Sequence, residues 1–150
     1  MRLATRSVLI ISAVVLIAYP LWGVLYPDSY SDELTQHHEH ALEFTLAQIK
    51  QASAWLWISN GVLALSFLLF ASFLGRPGRA RLGIGGGIAL MVYPFAQIFT
   101  EVMMATSMNA PGASIEISAE KILFIVFGLL TISLVQQIAQ PIAEQMRATR

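Results

Sequence analysis

Four long apolar runs, separated by short polar stretches, organise this chain. They cover residues 7–25, 52–73, 82–104 and 122–138, and each approaches the roughly 20 residues a helix needs to cross a hydrocarbon core about 30 Å thick. Glu101 is the only acidic or basic residue inside any of them. The last run is the shortest, and extends to Ala119 if Lys121 snorkels its ammonium to the interface. The pattern predicts an all-α, integral membrane four-helix bundle, with residues 1–150 forming a single membrane domain.

The polar stretches carry local signals of their own. After the first run, Leu34, Leu42, Leu46 and Ile49 recur at helical spacing, while charged and histidine side chains fill the opposite face. This predicts an amphipathic helix over 31–50, which either lies on the membrane surface or runs directly into span two. Gly75, Arg76, Pro77 and Gly78 predict a tight turn between spans two and three, and Asn109, Ala110, Pro111 and Gly112 another before span four. Ser118 is placed to cap span four, with Glu120 near the positive end of its dipole. Pro20 and Pro94 fall inside spans one and three, where each frees a carbonyl that a partner must satisfy. Beyond span four, Ile138, Ile142 and Met146 form an apolar stripe interrupted by Pro141. That segment lies along the membrane, docks a cytoplasmic partner, or simply continues the helix.

Composition agrees with the pattern: 56% of residues are hydrophobic and 12% charged, against about 25% charged in ordinary soluble domains. The formal net charge of zero offers no basic surface to nucleic acid. With no cysteine, disulfides, thiolate metal sites and thiol nucleophiles are excluded.

Charge position says more than charge total. Every arginine (Arg2, Arg6, Arg76, Arg79, Arg81, Arg147 and Arg150) falls in a segment that four spans place on one side. The positive-inside rule makes that side the cytoplasm, with both termini there. Segments 26–51 and 105–121 then lie outside with seven acidic residues against Lys50 and Lys121, so the amphipathic helix is external. Trp22, Tyr26, Trp55 and Trp57 mark the outer interface as an aromatic belt. Arg2 and Arg6 before the first run resemble a secretory signal, but no small-x-small cleavage site follows, which predicts an uncleaved signal anchor. A bacterial inner membrane fits this pattern best.

Three groups of residues are candidates for chemistry. His37, His38 and His40, with Glu33 and Glu43 one turn to either side, form i,i+3 and i,i+4 pairs able to converge on a divalent metal. The alternative is a solvated, pH-sensitive helix face. In span three, Gly86, Leu90, Tyr93, Gln97, Glu101 and Met104 form a stripe that gathers its polar groups, and Asn60 and Thr131 are expected at depths similar to Gln97. Glu101, Gln97, Asn60, Tyr93 and Thr131 are therefore read either as a ligand or ion site in the outer half of the bundle or as interhelical hydrogen bonds that fix packing. Gly83, Gly86 and Gly87 lack the preceding strand and the Lys-Ser/Thr of a phosphate loop, and read as close helix packing of the small-xxx-small kind. Intramembrane haem lacks axial histidines, no hydrolytic constellation has a distinctive spacing, and no cofactor is expected beyond a divalent metal at the external loop.

Asn109 through Gly112, then Ile115, Glu116, Ile117, Ser118, Ala119 and Glu120, an apolar span and a tail with Ala143 and Glu144, together resemble the C-terminal half of one bacterial family. That family comprises small four-span membrane proteins known only as a domain of unknown function, often encoded beside short helix-turn-helix regulators. The resemblance implies a part in envelope sensing or regulation.

These readings lead to an accessory, regulatory or sensing membrane protein without catalytic activity of its own. Its partners are the lipid bilayer and a membrane or cytoplasmic protein, or a homo-oligomer. The alternative is a small oligomeric transporter or channel for an ion or small solute, with a polar external mouth.

Overall fold

A single segment in hydrocarbon satisfies its own backbone polar groups by coiling into a helix, and each apolar run does so. The computed structural model describes residues 2–26, 46–76, 79–107 and 118–148. These form four α-helices: α1 (Arg2–Leu25), α2 (Leu46–Gly75), α3 (Ala80–Ser107) and α4 (Ala119–Ala148). Stretches of 23, 26, 28 and 21 residues within them are long and apolar enough to cross a membrane. Even the shortest reaches about 31 Å at 1.5 Å per residue. Among the described residues the fold is all-helical, and the protein is multi-pass.

The helix ends follow the local chemistry. Arg76 N donates to Ser72 O and Phe73 O at 3.1 and 3.0 Å, closing α2; Arg79 N then donates to Arg76 O and Leu82 N to Arg79 O, both at 3.0 Å, opening α3. Ser118 stands just before α4 and its carbonyl accepts from Lys121 N at 3.1 Å. Leu46 through Lys50 already belong to α2, so this part of the amphipathic segment runs directly into the second span; residues 31–45 lie outside the described residues. At the other end of the chain, α4 continues through Pro141 to Ala148.

Successive helices are antiparallel. The Arg6 side chain lies against Gly75, Trp55 against Ser107, and Lys121 against Glu101. Each helix packs on its neighbour in sequence, and among the described residues α1 does not approach α3 or α4 backbone to backbone. This arrangement gathers Arg6, Arg76 and Arg79 at one end of the bundle, called here the arginine end. The aromatic end holds Trp22 and Tyr26, whose rings are tilted 36° to each other with centroids 4.6 Å apart, and Trp55, edge-on to Phe99 at 6.1 Å.

What is buried is small, and what is exposed is large and apolar. Ala13, Ala52, Ala64, Ala71, Ser53, Ser59 and Ser66 form much of the interior, while Phe95 is 63% and Leu130 60% exposed, with Val8, Ile11, Val14 and Leu129 turned outward too. In water such a surface would drive aggregation. In lipid it is the expected distribution, because tails solvate large apolar side chains while small residues let helices approach closely.

The tightest approach joins α3 to α4. A Cβ placed on Gly87 would lie 2.5 Å from Ile132 Cγ1 and 3.0 Å from the Gly128 carbonyl oxygen; one on Gly83 would lie 2.7 Å from Val135. Gly86 faces the other way, where a Cβ would meet the Phe70 ring at 2.8 Å, and its carbonyl accepts a 2.8 Å hydrogen bond from Ser66 Oγ. Thus α3 lies between α2 and α4, with glycine against each.

Candidate functional site

The Gly87–Gly128 crossing sets what the aromatic end of α3 and α4 can bring together. Toward that end Tyr93, Gln97 and Glu101, four residues apart, fall on one stripe of α3, and Tyr93 and Glu101 meet α4. Tyr93 packs edge-on to Phe124 with centroids 4.8 Å apart. Lys121 Nζ donates to Glu101 Oε2 at 2.7 Å. The pair is lopsided, since the lysine side chain is 7% exposed and the carboxylate side chain 48%. Lys121 turns inward instead of snorkelling, because a carboxylate on the facing helix supplies a charged partner at the depth where the ammonium emerges. Between Tyr93 and Glu101, Gln97 Oε1 is buried and accepts no hydrogen bond from any described residue.

Asn60 belongs to a different interface. Its Nδ2 donates 3.1 Å to Leu16 O on α1. Leu16 is four residues before Pro20, so its carbonyl is the one left unpaired by the missing proline N–H. Asn60 therefore replaces the absent backbone donor across the helix–helix contact. Thr131 is elsewhere again: its hydroxyl donates 2.6 Å to Phe127 O on its own helix, and it lines an apolar groove of about 310 Å³ with Leu9, Phe70 and Phe73, toward the arginine end. Tyr93, Gln97 and Glu101 share one stripe; Asn60 and Thr131 do not join them.

Further polar side chains, unflagged by the sequence, tie α2 to α3. Thr100 Oγ1 donates to Trp55 O at 3.3 Å, and Trp55 Nε1 donates to Ser107 Oγ at 3.1 Å, whose own hydroxyl donates to Met103 O at 2.8 Å. Thr100 is 2% exposed and Ser66 wholly buried. The available signal was a hydroxyl residue within an apolar run, which marks a helix–helix contact without naming its partner. Gly128, a lone glycine in span four, gave a similar hint of close approach.

The histidine cluster, His37, His38 and His40 with Glu33 and Glu43, lies outside the described residues. Among the described residues no three histidine or acidic side chains gather as a metal site would require. Chemically, the aromatic-end stripe offers a half-exposed carboxylate, its lysine partner and one open amide oxygen. This set can accept a hydrogen bond or contribute an oxygen ligand to a cation.

Searches of protein families, curated proteins and solved structures find no match to this chain.

Proposed function

We propose that this is an accessory membrane protein of a bacterial inner membrane, regulatory or sensing in role and without catalytic activity of its own. The arginine end lies in the cytoplasm, together with both ends of the chain, and the segment over 31–45 completes an external amphipathic helix. The observation that carries the reading is how the polar groups within the spans are used. Asn60, Ser66 and Thr100 each donate to a backbone carbonyl of a neighbouring helix, and Glu101 is paired with Lys121. Intramembrane polarity spent on interhelical ties makes a defined scaffold whose exterior and tail engage a protein partner. The resemblance of residues 109–144 to the C-terminal half of that family implies envelope regulation as well.

Tagging the chain at its C-terminus, expressing it near native level and identifying co-purifying proteins after mild-detergent extraction tests this reading. A stoichiometric partner supports it. Recovery of the protein alone, or only as a homo-oligomer, argues against it.

A second reading rests on the open Gln97 Oε1 beside the Glu101–Lys121 pair. It makes the aromatic end the external mouth of a small oligomeric transporter, with His37, His38 and His40 binding a divalent metal or gathering protons. Flux of ions or small solutes into reconstituted vesicles, lost on Glu101→Gln, supports this alternative; absence of flux removes it.

A further inference from the structure

Positive-inside topology needs arginines on one side of the membrane; it does not need them to converge. Here they do. Arg6 comes from α1, Arg76 from the end of α2 and Arg79 from the start of α3, and all three line a single recess of about 490 Å³ together with Ser72, Gly75 and Leu82. Arg81 carries the same charge at the same end but does not line it. Among the described residues no carboxylate lines the recess, and the Lys121–Glu101 ion pair is at the opposite end of the bundle.

Two local features hold the recess in shape. The Arg79 N–H bond to Arg76 O fixes the spacing of those two arginines across the turn. Gly75 makes room for the third: a Cβ there would lie 3.2 Å from Arg6 Cζ and 3.3 Å from Nη1, so the guanidinium sits close against the end of α2 and a larger residue at this position would push it away. Three like charges held together are mutually repulsive, and the partial negative charge at the C-terminus of α2 offsets only about half a charge. A compact anion with several acceptor oxygens relieves this repulsion and matches the forked donors of arginine. The wall at Leu82 and the exposed guanidiniums put the recess at the boundary between apolar span and polar surface, the depth at which lipid phosphates lie.

We propose that the recess formed by Arg6, Arg76 and Arg79 is a seat for a phosphate-bearing anion, of the class presented by an anionic phospholipid headgroup or by free phosphate. The site is independent of the accessory role, and its test does not depend on a partner protein.

The test uses the full chain in neutral maltoside micelles, with thermal unfolding followed by tryptophan fluorescence. Short-chain phosphatidylglycerol, phosphatidylcholine of equal chain length and inorganic phosphate are titrated separately into the wild type, an Arg76→Gln/Arg79→Gln variant and Arg81→Gln. Phosphatidylglycerol is expected to raise the midpoint with at least fivefold higher apparent affinity than phosphatidylcholine. The double variant loses at least fivefold of that affinity, while Arg81→Gln loses twofold or less. Protection by phosphatidylglycerol alone assigns a lipid headgroup; equal protection by millimolar inorganic phosphate, lost in the same double variant, assigns free phosphate. Gly75→Val displaces Arg6 without changing net charge, and is expected to weaken the same ligand at least threefold. Equal losses for Arg81→Gln and the double variant, or no preference for any phosphate anion over phosphatidylcholine, overturn the proposal.

Discussion

Replacing Asn60 by leucine probes the most specific packing interaction in the bundle. Pro20 is fully buried within α1 and has no N–H to offer Leu16 O; Asn60 Nδ2 supplies the missing hydrogen bond from α2 at 3.1 Å. Leucine keeps the branching of asparagine at Cγ but is bulkier, so the substitution removes the donor and adds a packing change that is common to both backgrounds of the cycle below. A buried acceptor left unsatisfied costs about 1–3 kcal/mol, whereas interhelical hydrogen bonds in membranes average about 0.6 and reach about 1.7 kcal/mol. With a proline-freed carbonyl as acceptor, the expected loss is about 1–1.5 kcal/mol, toward the upper end of the membrane range. The diagnostic step is to repeat the substitution in a Pro20→Ala background. There the alanine N–H restores the i→i−4 bond to Leu16 O, and Asn60→Leu should cost less than about 0.5 kcal/mol, a coupling of about 1 kcal/mol. Reversible unfolding in mixed micelles of increasing dodecyl sulfate fraction, followed by helix circular dichroism, measures all four corners of the cycle. Equal costs in the two backgrounds, within about 0.3 kcal/mol, would show that Asn60 does not act through the proline-freed carbonyl.

The Glu101–Lys121 pair is expected to respond asymmetrically. Glu101→Gln takes the facing carboxylate from a buried ammonium, whereas Lys121→Met leaves a half-exposed carboxylate that water can reach; the former should cost about 1–3 kcal/mol and the latter less, with the double variant recovering much of the loss in the same unfolding assay. Glycines separate equally cleanly. Gly87→Ala pushes a methyl group against the Gly128 carbonyl and Ile132 and should cost about 1–3 kcal/mol. A Cβ on Gly61 meets nothing within 4 Å, so Gly61→Ala should be neutral or stabilise by up to about 1 kcal/mol through helix propensity.

The four helices were legible because an apolar run of span length has few alternatives to crossing as a helix. Their termini shifted outward by several residues, since helices persist past the hydrocarbon: α2 begins at Leu46 and α4 carries on through Pro141. The polar contacts were only half legible. Sequence marks Asn60 and Pro20 as a donor and a source of an open carbonyl, but their meeting depends on the register of α1 against α2. Lys121 reads as a residue that reaches for water until the α3–α4 crossing at Gly87 and Gly128 brings Glu101 within 2.7 Å. Thr131, expected near Gln97, lies instead toward the arginine end, because an antiparallel register pairs the later part of α4 with the earlier part of α3, where Ile132 meets Gly87. The convergence of Arg6 with Arg76 and Arg79 has the same origin: residues far apart in sequence meet because α1 and α2 run antiparallel.

The central claim is a bundle crossing the membrane four times with its arginine end in the cytoplasm, and the absence of native cysteine makes it directly measurable. Single cysteines at exposed Arg81 and exposed Ala119, at opposite ends of the spans, are challenged with a membrane-impermeant maleimide in intact cells and again after permeabilisation. The account predicts labelling of Ala119→Cys in intact cells and of Arg81→Cys only after permeabilisation. Labelling of both in intact cells, or of Arg81→Cys alone, would contradict it.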